Sequence, residues 1–314
     1  MLNINFMCPS CQLELEQKRG SYYCNKCLKE YPYYKFNDLI VIDFNSLDTG
    51  NCECNRDGIT TCEIDLRSKL PENLPENKKE EKKKVRYSRM EQLINEEIGK
   101  GDRILDLGCA EGPYAHIFAG RNESYGFDGC PKRLLLNEDN ALDKGYNALI
   151  VGGGLKLPFA DSSFDIVICT EVIEHVTETR QLVKEIDRVL KKDGRLILST
   201  PNLVSLGNRL GMVFGKGLKF NTFGFLKSFY PLVPWREGGI TEKQCSFSSI
   251  RYPEQPLHLR FFTSESLRKF LQQCGFKVEK EAGIDLTPTR FDSFLCKIFK
   301  DWVDDLFIVA RKTK

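Results

Sequence analysis

Neither sign of charge dominates this chain of 314 residues, in which 46 Lys and Arg stand against 44 Asp and Glu for a net charge of +2. Without a basic excess there is no global electrostatic footprint for nucleic acid, and only a local basic face stays open. The N-terminus lacks the basic start and apolar core of a secretory leader. Every apolar run is too short or too charged to span a bilayer. No internal repeat is visible. These absences predict a cytoplasmic protein with no transmembrane segment, its thirteen cysteines reduced or metal-bound. What remains, 41% hydrophobic and 29% charged residues, is the composition of a globular chain longer than one average domain and able to bury a full core.

The most informative stretch is Asp106-Leu-Gly-Cys-Ala-Glu-Gly112, directly after the apolar run Arg103-Ile-Leu105. A strand ending in an acidic, glycine-spaced turn suits a nucleoside cofactor. Gly108 and Gly112 are expected to let main-chain N–H groups face a partly anionic ligand from a helix start. The dinucleotide pattern is missing, because it needs glycines at 110 and 113 and this chain has Ala110 and Pro113. Asp128 ends a second run, Tyr125-Gly-Phe-Asp128, at a spacing that suits a ribose diol held by both carboxylate oxygens. Such a charge-assisted contact contributes roughly 1.5–3 kcal/mol.

Three further blocks follow in order: Leu157-Pro-Phe159 with Phe164-Asp165, then Glu174-His175-Val176, then Arg188-Val-Leu-Lys-Lys-Asp-Gly194 running on to Asn202. With them, residues 86–314 resemble the class I S-adenosylmethionine-dependent methyltransferases. The resemblance implies a doubly wound α/β fold whose seven-stranded sheet is parallel except for one antiparallel edge strand. Local patterns place strands at 103–106, 124–127, 148–151, 165–170, 195–199, 276–282 and 306–311. A helix is read over Thr179–Leu190, where Leu182, Val183, Ile186, Val189 and Leu190 share a face. Alternating strands and helices suit the doubly wound layers.

The same resemblance implies S-adenosylmethionine as cofactor and assigns its contacts. Asp106 holds the turn, Gly108, Cys109, Ala110 and Gly112 pass beside the methionine part, and Asp128 with Gly129 takes the ribose. Gly153, Gly154 and Leu155 lie by the adenine, and Thr170 and Glu171 by the methionine or the substrate. Gly153 stands where many relatives carry an aspartate for the adenine amino group, so either the backbone of Gly152-Gly-Gly154 approaches the ring or affinity is weakened. Ala110, in place of a middle glycine, adds one methyl. His175 is either a general base or a loop-fixing residue. Glu174 is read as a charge at a helix start. His258-Leu-Arg-Phe-Phe-Thr263 resembles a block of small-molecule and saccharide methyltransferases in which His258 and Arg260 face the substrate while Phe261 and Phe262 pack.

Cys8-Pro-Ser-Cys11 and Cys24-Asn-Lys-Cys27 are two tight knuckles separated by twelve residues. Four thiolates so placed match tetrahedral, structural Zn2+. With Glu30-Tyr-Pro32 and Leu39-Ile-Val-Ile-Asp43, residues 1–45 resemble the zinc ribbon of small methyltransferase-activator proteins and of bacterial rRNA guanine methyltransferases. Such a ribbon either caps the enzyme or contacts RNA. Residues 46–85 read as a charged tether in which Cys52, Cys54 and Cys62 are free thiols.

Residues 202–257 interrupt the methyltransferase pattern as a substrate lid. Its interleaved aromatic and basic residues suit a lipid-linked or nucleotide-sugar substrate, a peripheral membrane contact, or stacked RNA bases. The leading expectation is methyl transfer to a small-molecule, saccharide or lipid-linked acceptor. The alternatives are an RNA methyltransferase using the ribbon and a non-catalytic activator module.

Overall fold

Short apolar runs bounded by glycine and charge become strands here because both faces of the sheet are covered. The computed structural model describes residues 2, 4–36, 39–44, 80–110, 112–129, 134, 145–213, 259–284 and 302–313. Four N-terminal strands are β1 (Glu16–Lys18), β2 (Ser21–Cys24), β3 (Lys29–Phe36) and β4 (Leu39–Asp43). After helix α1 (Glu80–Glu97) come β5 (Arg103–Leu107), the single turn α2 (Ala115–Phe118), β6 (Glu123–Asp128), β7 (Ala148–Val151) and β8 (Phe164–Thr170). The chain continues through α3 (Thr179–Val189), β9 (Leu190–Pro201), α4 (Leu206–Val213), α5 (Ser264–Gln273), β10 (Phe276–Ile284) and β11 (Asp305–Lys312).

Seven of these strands form the expected sheet, in the order β7-β6-β5-β8-β9-β11-β10. From β7 to β9 every pairing is parallel, whereas β11 is antiparallel to both β9 and β10. The antiparallel strand therefore lies one place in from the edge, a correction to the edge position expected. Residues of β8 alternate between two cores: Val167 and Cys169 join Leu182, Val183 and Ile186 of α3 on one face. Ile166 and Ile168 join Met90, Leu93 and Ile94 of α1 on the other. Burial on both faces explains why this strand reads as continuous apolar sequence. Leu190 was expected to close the helix, but α3 stops at Val189 and Leu190 opens β9. The start of α5 falls at Ser264 as expected, because Thr263 and Ser266 form a reciprocal capping box.

At the other edge the sheet does not end at β7. Strand β4 pairs with β7 in parallel, Ile40 opposite Ala148 through Asp43 opposite Val151, and β3, β2 and β1 continue it antiparallel. The expected ribbon thus hands its last strand to the main sheet. Phe6 and Tyr22 of the ribbon, stacked edge-on at 4.9 Å, share a core with Phe159, Phe164 and Tyr125. Phe6 lies 5.8 Å from Phe159, and the Met7 N–H donates to the Pro158 carbonyl at 3.0 Å. The expected boundaries shift at the tether as well, since α1 begins at Glu80 inside the segment 46–85. Cys52, Cys54, Cys62 and most of the lid lie outside the described residues. Of the lid's start, α4 is helical and exposes Leu210, Met212 and Val213.

Candidate active site

The turn after β5 is built from inside. Gly108 and Cys109 donate their N–H groups to the Phe127 carbonyl at 2.7 and 3.1 Å, Ala110 donates to Asp128 Oδ2 at 3.0 Å, and Gly112 donates to the Cys109 carbonyl at 2.7 Å. These donors already have acceptors within the protein, and the helix that follows is one turn long. The N–H groups of Gly108, Cys109, Ala110 and Gly112 are thus engaged within the protein, and these described residues of the turn form a wall of backbone. Its glycine at 108 answers to a close neighbour. A Cβ there would stand 2.2 Å from Val172 Cγ2, and its φ is +79°.

Ala110 also has a left-handed backbone, at φ +44°. Its cost is conformational, beyond the one added methyl, at roughly 1–2 kcal/mol for an L residue. Ala110→Gly is expected to raise stability by roughly 0.5–1 kcal/mol after the extra unfolded-state freedom of glycine is subtracted. The urea midpoint reads this out, and an unchanged or lower midpoint contradicts it.

Asp106 and Asp128 divide the work of the two strand ends. Asp106 is buried and accepts from Tyr146 Oη at 2.5 Å, a partner the sequence did not reveal. Burial pushes its carboxyl up to about 7, with the Tyr146 hydroxyl opposing and the Asp128 charge adding to the rise. Asp106 thus ties β5 to Tyr146, just before β7. Asp128, 9% exposed, sits at the end of β6 and ties the turn through Ala110. Its main-chain carbonyl accepts from Gly152 N–H at 3.1 Å, which brings the loop after β7 alongside. In that loop a Gly152 Cβ would meet Phe127 Cζ at 2.9 Å, so glycine is required by packing. A Cβ at Gly153 would meet nothing within 4 Å. Gly154 is bordered by Leu182 and Leu107, and Gln181 Nε2 donates to the Leu155 carbonyl at 3.4 Å. Gly129 lies beside the Gly152 carbonyl.

The carboxyl end of β8 carries the acids. Thr170 pairs with Ser199, and Glu171, at φ +57°, accepts from Ser199 Oγ at 2.9 Å. Glu174 was expected as a charge at a helix start, and it does stand in a first helical turn, though buried. It lies in a one-turn 3-10 helix, Ile173–His175, 1% exposed, and accepts from Thr200 Oγ1 at 3.1 Å. Burial first, then the Glu171 charge, holds its carboxyl well above the usual range. His175 Nε2 lies 3.7 Å from Glu174 Oε1, with the His175 side chain 18% exposed.

Arg260, expected at the substrate, is engaged with the backbone of the His175 turn. Its guanidinium reaches the carbonyls of Val176 and Thr177, and its N–H, with that of Leu259, donates to the Glu174 carbonyl. The residue fastens the chain returning from the lid onto the His175 turn. Phe262 packs as expected, whereas Phe261 is 44% exposed. His258 lies outside the described residues.

Residues 105–198 match the family described as a methyltransferase domain. An uncharacterized protein of Methanocaldococcus jannaschii is 27% identical over 234 residues, 74% of this chain and 85% of that protein. The ubiquinone biosynthesis O-methyltransferase of Glaesserella parasuis is 33% identical over 178 residues, 53% of this chain and 75% of that enzyme. The chain belongs to the class I S-adenosylmethionine-dependent methyltransferases. A solved candidate methyltransferase from Listeria monocytogenes shares the fold at a TM-score of 0.51 and 13% identity, covering 74% of this chain and all of that one (100%).

Two of the blocks that mark this methyltransferase are structural. Arg188 of α3 donates to the carbonyls of Leu157 and Phe159 at 2.9 and 2.7 Å and to Glu185 at 3.0 and 2.8 Å. The Glu185 carboxylate accepts in turn from the Leu157 N–H at 2.9 Å. Among the described residues no helix is long and apolar enough to cross a membrane.

The ribbon brings its four cysteines together. In each knuckle the residue after the second cysteine, Gln12 or Leu28, is left-handed at φ +56°. Its N–H closes the turn onto the first cysteine's carbonyl, at 2.7 Å for Cys8 and 2.8 Å for Cys24. The sulfurs of Cys8, Cys11, Cys24 and Cys27 lie within 4.8 Å of one another, Cys11 and Cys24 at 3.6 Å. An all-sulfur set at this separation fits tetrahedral Zn2+, whose bonds to sulfur are about 2.3 Å. The buried Tyr31 hydroxyl stands 3.3 Å from Cys8 Sγ.

Proposed function

We propose that this methyltransferase methylates a hydroxyl group of a small molecule, with His175 receiving the hydroxyl proton. The observation that carries the reading is that β6, β7 and β8 run in the same direction, so that Asp128, the Gly152–Gly154 loop and the turn with Glu171 and His175 all follow strands at one edge of the sheet. Bound there, S-adenosylmethionine supplies a methyl group on a good leaving group, so the protein has chiefly to align the acceptor and remove its proton. In this reading Asp128 takes the ribose, Gly153 and Gly154 border the adenine, and the wall from Gly108 to Gly112 borders the methionine part. Glu171, fixed by Ser199, faces the sulfonium end. The Glaesserella relative's name, an O-methyltransferase of ubiquinone biosynthesis, supports a small hydroxylated acceptor.

Two of the ribbon's tyrosines support the cap role. Tyr22 and Tyr31, aromatic rings suited to stacking bases, are 6% and 2% exposed and serve the core. We assign the four cysteines to a structural Zn2+ that holds this cap in place.

The test offers methyl-labelled cofactor with hydroxylated small-molecule extracts and, separately, total RNA. Label confined to RNA sinks the small-molecule assignment. His175→Ala should lower turnover about 100-fold or more with cofactor affinity unchanged, and equal losses in both would make the histidine structural.

The open space at residue 153 leads to a further expected result. Gly153→Asp should fit without strain and tighten S-adenosylmethionine by about tenfold, through a charge-assisted bond to the adenine amino group. Calorimetry measures it, and unchanged or weaker binding would remove the adenine from this loop.

A further inference from the structure

Among the described residues, the side chain of Phe44 lies against the loop after β7. Phe44, the residue after β4, donates its N–H to the Val151 carbonyl at 2.8 Å, and its Cβ lies 3.6 Å from where a Gly152 Cβ would stand. Its ring is 5.0 Å from that of Tyr31 and 5.7 Å from that of Phe6. Tyr31, in turn, reaches the first cysteine of the metal set with its hydroxyl at 3.3 Å. On the far side, the Gly152 N–H is bonded to the carbonyl of Asp128. An unbroken series of contacts therefore runs from Cys8 through Tyr31 and Phe44 to Gly152 and Asp128.

We infer that Phe44 is a positioning residue for the methyl donor, and that the cysteine knuckles set donor affinity through Tyr31 and Phe44. The inference rests on the reading above that Asp128 and Gly152–Gly154 hold the donor. The physical reason lies in the loop's own composition. Three successive glycines, Gly152–Gly154, carry no side chain with which to anchor themselves and lose more freedom on ordering than any other sequence. The first of them, Gly152, is bordered by Phe127 on one side and Phe44 on the other, and through it these rings set where the loop begins. Phe127 belongs to the main sheet, whereas Phe44 is held by the ribbon's packing. Loss of the tetrahedral constraint on Cys8 frees the Tyr31 hydroxyl, loosens the stack on Phe44 and widens the range of backbone states at 152–154. The donor must then pay to reorder them, which raises its dissociation constant without altering the reacting groups.

The experiment uses the full chain loaded with Zn2+, together with Phe44→Leu, Tyr31→Phe and protein stripped of metal by a chelator. S-adenosylmethionine affinity is measured by calorimetry, and amide exchange is followed across 148–154, with 103–107 and 164–170 as the control for an intact sheet. Phe44→Leu keeps apolar volume, so the sheet control should stay protected. Expected are a three- to tenfold weaker donor with kcat and metal content unchanged, and faster exchange confined to 148–154. Metal removal should reproduce the same local exchange and at least the same loss of affinity, with Tyr31→Phe giving a smaller loss.

Donor affinity within twofold of the parent in Phe44→Leu, with exchange at 148–154 unaltered, overturns the inference. If the donor protects 152–154 in the parent while Phe44→Leu binds it normally, the site reading stands and only the inference falls. If the donor gives no protection at 152–154 in the parent, the site reading falls and takes the inference with it. Should metal removal expose 103–107 and 164–170 too, the Phe44→Leu result decides alone.

Discussion

Replacing Arg188 with alanine should destabilise the protein by about 3 kcal/mol, the low end of the range for breaking a buried, hydrogen-bonded ion pair from one side, because the guanidinium is part-exposed. The guanidinium side chain is 21% exposed and satisfies two main-chain carbonyls, those of Leu157 and Phe159, together with the 11%-exposed Glu185. Its contact to Asp161 adds little, because that carboxylate is 77% exposed. Truncation leaves Glu185 without its charge partner and two carbonyls without donors, and it loosens the segment that presses Phe159 against Phe6 and Phe164. Burial alone would lower the Arg188 pKa, yet its acidic partners raise it, so the charge persists across the accessible pH range. Arg188→Lys should recover only part of the loss, since a point charge cannot span both carbonyls and the carboxylate. Urea titration of the full chain measures the change. A loss under about 1 kcal/mol would mean that water replaces the guanidinium at low cost.

Asp128→Ala should weaken S-adenosylmethionine roughly 10- to 100-fold, the equivalent of one charge-assisted hydrogen-bond set. The carboxylate accepts from the Ala110 N–H in this structure, and the proposed site asks it to take the ribose as well. A carboxylate offers about four lone-pair positions, so one oxygen already engaged does not prevent the second use. Asp128→Asn keeps an acceptor for Ala110 but loses the charge, and it should fall between the parent and alanine. Calorimetry separates the three proteins. Equal affinity in all of them would take Asp128 out of the cofactor site, whatever its part in bracing the turn.

Much of the fold was legible because it depends on local pattern. Strand β7 was read over the residues it occupies, and α5 begins where its capping residues place it, since β-branched runs and caps act within a few residues of themselves. The four cysteines were legible for the same reason, as the spacing of a knuckle is a local fact. Residue roles were less so. Arg260 carried a charge and sat in a substrate-like block, yet a charge in sequence does not say whether it meets a ligand or a carbonyl, and here it meets Val176 and Thr177. The burial of Glu174 gave no local signal, because its partners are Thr200 of β9 and the chain returning at Leu259. Tyr146 gave no sign of facing Asp106, forty residues earlier in the chain.

The primary structure was enough to specify the family, the four-cysteine cluster and the seven strands of the main sheet, because each follows from residue types at short, fixed separations. Whether the ribbon stands apart or joins the enzyme could not be read from those separations. Leu39–Asp43 is apolar enough for either place, and the pairing of β4 with β7 across more than a hundred residues settles it. Backbone donors and acceptors at a sheet edge must be satisfied by whichever strand arrives in register, and that choice exists only once the chain has closed on itself.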